Sequence, residues 1–509
     1  MLEGLLPSLA WVALAFGHLS GGSWTNFYSG GSNYNTSLSF DIAEKSSHRW
    51  IGVGSQDPSF IAEFDQEGKV AWQQNFDDFD FHHIVKDDEK FYAVGNSQHR
   101  FDLGTMQGPG IVKFEVKNGN VDLIWVRQPA IGFYTQVHDA TLVSDDGLMV
   151  VGDVYGAFTN NASFTLQPRG FILRYDKYGA HFWAVALSTS SYRWDAFHSL
   201  LYESDGNSLS IVGWSAYDMG KALFPVLSLI TLSDDIENPL FNRTTIFLIL
   251  NQNNISTTQG IVGYDHIATE DGGYAITGAI LTPDNITNVT AYHLFVGKVD
   301  HHHQPLWFRI VEGVNSAGLT IVVRNGRYIV GGHWVDKGNP SLLMMSIKPS
   351  QGRLVAARTL KEVDYNITLG FNLKVASNSY FYMTGSLASN DSFHAVKKLL
   401  LHKANLFSND CSEKVALNFT LLDGIATLNL SIDDLEQPDL YTFDNLAGIK
   451  MTNRHKITKN NRCYRSDDIE SNKRRKRHIT IVVTVVVIYL SLNICYICRP
   501  LSWGCHHPC

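Results

Sequence analysis

Short apolar runs separated by polar turns fill the chain from residue 37 to residue 410, with no credible helix among them. One pattern recurs: an aromatic or aliphatic pair, then Val, Ile or Thr, then Gly. It reads Trp50-Ile51-Gly52-Val53-Gly54, Phe91-Tyr92-Ala93-Val94-Gly95 and Leu148-Met149-Val150-Val151-Gly152. It returns as Leu209-Ser210-Ile211-Val212-Gly213, Tyr274-Ala275-Ile276-Thr277-Gly278, Tyr328-Ile329-Val330-Gly331-Gly332 and Tyr380-Phe381-Tyr382-Met383-Thr384-Gly385. Seven glycines, at 54, 95, 152, 213, 278, 332 and 385, therefore mark seven units.

Each unit predicts about four strands. A β-branched or aromatic run follows the Gly, as in Phe60–Phe64, Gly110–Phe114, Gly170–Tyr175 and Leu294–Val299. A tight turn and a Trp come next: Asp65-x-x-Gly68-x-x-x-Trp72, Asp176-x-x-Gly179-x-x-x-Trp183, and Asp300-x-x-His303-x-x-x-Trp307 with His in place of Gly. Gly119 and Trp125 form a looser copy. Asp starts such a turn by bonding backbone amides, Gly takes the positive φ that ends it, and the Trp can cover the neighbouring unit. A further strand precedes each Gly and often opens with Asp, as at His138-Asp139, Trp194-Asp195 and Tyr264-Asp265. Four-stranded units repeated radially make a β-propeller, so the sequence predicts an all-β, seven-bladed β-propeller over residues 37–410, closing near Ser37–Ile42.

This strand–Gly–strand–Asp-x-x-Gly grammar resembles the bacterial-type propeller repeats called SBBP and delta-60 repeats. It is more distantly similar to the quinoprotein (PQQ-type) repeat, which ends in Gly-Lys-x-x-Trp. Here Gln66-Glu67 and Lys177-Tyr178 leave a two-residue gap between Asp and Gly, one fewer than in the quinoprotein pattern. The shorter Asp-to-Trp spacing of the sialidase Asp-box is not matched either. The resemblance implies fold and says little about function.

The two ends set the expected compartment. The uncharged apolar run Leu5–Leu19, followed by Ser20-Gly21-Gly22, reads as a secretory signal peptide over residues 1–22. Ile479–Ile497 is a 19-residue uncharged run, long enough for a transmembrane helix over residues 479–498, with a short cytoplasmic tail at 499–509. Ten N-glycosylation sequons lie between these runs: Asn35, Asn161, Asn242, Asn254, Asn285, Asn288, Asn366, Asn390, Asn418 and Asn429. They favour an extracellular or lumenal N-terminal domain, although Lys473–Arg477 precedes the span and positive charge ordinarily stays inside. Seven of them map to one propeller face: Asn161, Asn285, Asn288 and Asn390 fall in strand two-to-three loops, and Asn242, Asn254 and Asn366 in connections between units. Within the basic linker 466–478, Arg474-Arg475-Lys476-Arg477 resembles a furin-type convertase site, and a solvated or lipid-binding charge run fits equally.

Composition limits the classes. Lys and Arg number 41 against 49 Asp and Glu, a net charge of −8, which excludes a generally basic nucleic-acid binder. A hydrophobic fraction of 44% excludes a disordered chain. Cys411 and Cys463 bracket a segment, 411–465, expected as a small membrane-proximal β appendage closed by their disulfide. Cys495, Cys498 and Cys505, with Cys509, sit at the inner end of the span as palmitoylation candidates, and with His506 and His507 a compact zinc site is the alternative.

Candidate chemistry is sparse. Asp139, Asp195 and Asp265, with His82 in the corresponding place, could ring one channel mouth and hold a divalent cation, or each Asp could tie down a turn between units. His301-His302-His303 falls in a turn where consecutive side chains point apart, so a solvated turn is expected. No Gly-x-Ser-x-Gly, His-Glu-x-x-His, phosphate loop or dinucleotide fingerprint occurs, and no cofactor is expected. The reading is a type I, single-pass cell-surface glycoprotein whose propeller binds an extracellular protein or glycan. The alternatives are a secreted or lumenal propeller enzyme (hydrolase, lyase or quinoprotein-like) and a convertase-processed precursor releasing a soluble propeller.

Overall fold

The structure is a computed structural model. It describes residues 24–29 and 40–464, without 56–57, 102–103, 158–167, 189–194, 204–207, 219–222, 234–240, 250–259, 284–289, 314, 337–338, 362–364, 377–379, 390–396, 405–412, 431–433, 437–440, 443–450 and 453–457. The signal peptide, basic linker, membrane span and tail expected from the sequence lie outside these residues, as do Asn35, Asn161, Asn254, Asn285, Asn288, Asn390 and Cys411. Among the described residues no helix is long and apolar enough to cross a membrane.

Every described element is a strand. Consecutive antiparallel strands form sheets at residues 40–76, 79–127, 132–188, 195–249, 260–311, 315–361 and 365–404, called here the first to seventh sheets. Their first strands are Phe40–Ser46, Phe79–Asp87, Gly132–Leu142, Asp195–Tyr202, Gly260–Ala268, Asn315–Arg324 and Tyr365–Val375. Each contacts the first strand of the next sheet, and Phe40–Ser46 contacts Tyr365–Val375, so the series is cyclic. This is a propeller-type all-β arrangement.

The apolar pattern follows from this stacking. Both faces of each sheet are covered, so alternate residues of one strand enter two different cores. Phe91 and Ala93 pack toward the first sheet, whereas Tyr92 and Val94 pack toward the third. The same alternation sends Met149 and Val151 one way and Leu148 and Val150 the other. The last core joins the seventh sheet to the first: Tyr382 and Leu401 pack with Phe40, Phe60 and Phe64, and the Trp50 and Tyr382 rings lie 4.3 Å apart. The repeated Gly is a site of close approach. A Cβ on Gly152 would stand 2.0 Å from the Gln136 carbonyl oxygen, which leaves no room for a side chain.

The ring closes through the N-terminus. Trp24–Ser29 supplies the fourth strand of the seventh sheet, with Phe27 opposite Leu400. The strand expected near Ser37–Ile42 to meet the last unit is described as Phe40–Ser46; it opens the first sheet, Phe40 facing Gly54, and contacts the seventh.

The described strands of 411–465 pair with strands earlier in the chain instead of with one another. They add an outer edge to sheet after sheet in reverse order. Glu413–Lys414 joins the sixth, Phe419–Leu421 the fifth, Ile425–Leu430 the fourth and Asp434–Glu436 the third. Tyr441–Thr442 pairs with Pro129–Ala130, just beyond the second sheet. Met451–Thr452 joins the first, and Thr458–Tyr464 covers the N-terminal strand on the seventh. An open sheet edge presents unpaired N–H and C=O groups. The alternating pattern at 415–422 and 425–432 suits a strand that covers such an edge with one face inward.

Tight turns and tryptophans lock neighbouring sheets. Asp65, Asp176 and Asp300 each accept two backbone N–H bonds through Oδ1, for example from Tyr178 at 2.8 Å and Ala180 at 2.6 Å. Gly68 and Gly179 hold the left-handed φ, at 70° and 82°. Two of the fourth-strand tryptophans bond the following sheet's turn. Trp125 Nε1 donates to the Lys177 carbonyl at 3.3 Å and Trp307 Nε1 to the Pro349 carbonyl at 3.0 Å. Two residues on, Arg127 and Arg309 donate to the Gly179 and Gln351 carbonyls.

His303 differs from the solvated turn expected for it. It takes the left-handed φ of 59° where its relatives have Gly, and it is buried, Nδ1 lying 3.0 Å from Thr245 Oγ1. The fourth sheet carries Arg243 and Thr245 at the register places of Trp and Arg, and the turn supplies a ring in exchange. His301 and His302 are exposed.

An ion pair with a buried cation recurs beside the turns of the second, third and fifth sheets. Lys113 meets Asp87 at 3.0 Å, Arg174 meets Asp145 at 3.1 Å, and Lys298 meets Asp271. The first sheet inverts the charges: Glu63 sits between Lys45 and Arg49.

Candidate functional site

Register fixes which residues face the channel together. Asp41, His83, Asp139, Ser199, Asp265, Thr320 and Asn372 sit opposite Val53, Val94, Val151, Val212, Thr277, Gly331 and Thr384, one step from the repeated Gly or its counterpart. They form one ring, and its first, third and fifth members are Asp.

Each carboxylate bridges two sheets in the same way. Asp41 accepts from Ile42 N at 2.8 Å and from Ile84 N of the second sheet at 3.1 Å. Asp139 accepts from Ala140 N and from Leu200 N of the fourth sheet, both at 2.8 Å. Asp265 accepts from His266 N at 2.8 Å and from Ile321 N of the sixth sheet at 2.7 Å. The remaining joints use other groups. Asn96 Oδ1 accepts from Val137 N, and His198 Nδ1 donates to the Gly263 carbonyl. Ser199 Oγ donates to Asp265 at 2.9 Å. Lys374 of the seventh sheet lies 3.5 Å from Asp41, across the closing joint.

Burial governs the electrostatics. It raises the carboxyls of Asp41 and Asp265 above the usual range, against opposing backbone hydrogen bonds. Asp139 is pushed up to about 7, by burial first and by the Asp265 charge in addition. Lys374 keeps 38% side-chain exposure, and burial opposes its charge, yet Asp41, Asp139 and Asp265 together hold its ammonium above the usual value. His83 stands 3.8 Å from Asp41 and 4.0 Å from Asp139, and burial holds it well below the usual imidazole value.

The sequence candidates divide accordingly. Asp139 and Asp265 are ring members. Asp195 is buried on the same first strand as Ser199 but four residues earlier, opposite Ser215, so it does not join them. His82 is the extra residue of a β-bulge, and the ring place belongs to His83. Asp41 and Lys374 were missed. Asp41 has a sequence signal: Phe40 pairs with Gly54 as Phe81 pairs with Gly95, but the first sheet lacks the bulge that displaces its neighbours by one. Lys374 has none, because the seventh sheet's irregularity spans Thr368 to Asn372. Among the described residues no group of three His, Cys, Asp or Glu is placed to hold a metal ion.

The sequons do not share one face. Asn242 is the second residue of the fourth strand Phe241–Ile249, beyond a strand three-to-four turn, which places it on the short-turn side. Asn366 lies near the start of the seventh sheet's first strand. Asn418 is exposed with its amide nitrogen 2.8 Å from Glu312 Oε2, and Asn429 lies on the outer strand opposite Thr245. Cys463 lies opposite Thr25.

No protein-family model and no curated protein matches the chain. Solved structures similar to it include an acylaminoacyl peptidase from Pyrococcus horikoshii, at 10% identity and a TM-score of 0.37, covering 73% of this chain and 53% of that one. The chain thus spans about half the length of that peptidase. A putative 6-phosphogluconolactonase from Bacteroides fragilis is similar at 9% identity and 0.34, covering 80% and 99%. The NanB sialidase from Streptococcus pneumoniae is similar at 8% identity and 0.29, covering 77% and 96%. Likenesses this distant carry no functional argument.

Proposed function

We propose that the chain is a seven-bladed β-propeller borne as the extracellular or lumenal part of a single-pass membrane glycoprotein, and that it works by recognition at the channel mouth. The observation that carries this reading is the use made of the channel carboxylates. The oxygens of Asp41, Asp139 and Asp265 each accept backbone N–H bonds from their own sheet and the following one, a scaffold role. Seven sheets in cyclic order support the blade number. Trp24, two residues after the expected cleavage at Gly22, begins the closing strand, which supports a mature chain starting there. The sequons and the apolar run Ile479–Ile497 support the topology.

The test is expression of the full chain with a tag after Ser23 in secretory cells. The tag should be reached by antibody on intact cells, and peptide-N-glycosidase should lower the mass by several glycans. An unreachable tag and unchanged mass would overturn the topology. One observation favours a second reading, a propeller hydrolase: Asp139, at about 7, keeps a proton near neutrality as a general acid must. Turnover of a glycoside or ester panel that Asp139→Asn abolishes would favour the enzyme.

A further inference from the structure

Five consecutive first strands, those of the second to sixth sheets, carry a β-bulge at the same place, and a bulge re-aims the extra side chain. Those residues are His82, His138, His198, Tyr264 and Leu319. Three of them make a lane of rings: His138 and His198 lie 4.8 Å apart, and His198 stacks on Tyr264 at 5.1 Å with 12° between planes. Toward the start of the third sheet's first strand the lane meets two phenols. Tyr134 is 45% exposed, and its ring lies 5.6 Å from Tyr155 at 67°, so the pair forms two walls of a corner.

We propose that this corner of the channel mouth binds an organic ammonium ion, held on the Tyr134 and Tyr155 rings with the carboxylates of Asp153 and Asp80 behind them. This rests on reading the mouth as the recognition site and adds the ligand class. Asp153 is fixed: its side chain is 5% exposed and accepts from His138 Nε2. Asp80 stands 3.5 Å from His82. Burial first, then these carboxylates, raise the Tyr134 phenol; burial, then Asp153, raise that of Tyr155. The field at the rings therefore favours a cation. Burial also pushes His198 down to about 3, so that imidazole stays neutral and adds no opposing charge. A cation over an aromatic face gains roughly 0.5–2 kcal/mol. An anion would meet Asp153, and a neutral ligand would stack without drawing selectivity from the charge.

The probes are choline and its neutral isostere 3,3-dimethylbutan-1-ol, with methyl glucosides as a sugar arm. The full chain is used in a polyoxyethylene detergent, free of choline and sugar, and binding is read by saturation-transfer NMR. Choline should bind about tenfold more tightly than the isostere. Tyr134→Ala should weaken choline about tenfold, Tyr134→Phe, which keeps the ring, by less than about threefold, and Asp80→Asn by about threefold, all with unchanged melting. Equal binding of choline and isostere would overturn the proposal. Glucoside binding lost in Tyr134→Ala, without choline binding, would overturn the cation class and leave recognition at the mouth standing. No binding by any probe, together with wild-type attachment of Tyr134→Ala cells to their natural surface partner, would overturn both.

Discussion

Replacing Asp139 with Asn should change the pH dependence of stability with a predictable sign. Burial raises this carboxyl from 3.8 to about 7. With the folded value above the unfolded one, the native state binds the extra proton between them. The charged form is therefore a penalty that grows as pH rises from about 4 and levels off above about 7. At roughly 1.4 kcal/mol per pH unit the gap is worth at most about 4 kcal/mol. The side chain is 26% exposed, and the resulting screening brings the expectation to about 2–3 kcal/mol. His83, His198 and His266 act in the opposite sense. Held neutral by burial, they lose stability as pH falls below their unfolded value of 6.5. The wild-type profile alone is therefore not diagnostic, and the difference between wild type and variant isolates Asp139. Asn keeps one good acceptor for the Ala140 and Leu200 amides, a constant loss of about 1 kcal/mol. Urea unfolding of the full chain, followed by tryptophan fluorescence at about pH 4.5, 6 and 7.5, measures the difference. The variant should gain about 2–3 kcal/mol on wild type across that range. A difference independent of pH would refute the reasoning.

Other substitutions probe the joints between sheets. Trp307→Ala removes a buried indole and its bond to Pro349 and should cost about 3–5 kcal/mol in chemical denaturation; a loss under about 1 kcal/mol would count against the clamp. Lys374→Met takes the cation from Asp41 and should cost about 1–3 kcal/mol at neutral pH and less near pH 4, where Asp41 protonates more readily. His303→Gly relieves a left-handed backbone but loses the Thr245 contact, so a net loss of about 1 kcal/mol in thermal melts is expected; a gain would show that backbone strain dominates.

Repetition made much of the fold legible. The Gly pattern located all seven second strands, because it records a backbone approach that no side chain tolerates. The Asp-x-x-Gly turns and their tryptophans were readable for the same reason: local hydrogen bonding dictates them. What repetition does not encode was not readable. Trp24–Ser29 closes a sheet built more than 300 residues later, and no local pattern announces that pairing. The strands at 413–464 alternate weakly because each has only a short edge to cover. The channel ring was half visible, since bulges shift equivalent residues by one place and hid Asp41 behind its neighbours. The mouth phenols belong to a single sheet and repeat nowhere.

The account depends most on the outer strands that pass from sheet to sheet between Glu413 and Tyr464. Hydrogen–deuterium exchange of the full chain, read peptide by peptide, tests them directly. The inward-facing amides of Ile425–Leu430 and Thr458–Tyr464, which alternate along each edge strand, should exchange as slowly as those of their partners Phe241–Ile249 and Trp24–Ser29. Complete exchange of 413–464 within seconds, with the sheets themselves protected, would contradict the encircling segment and return it to an independent tail.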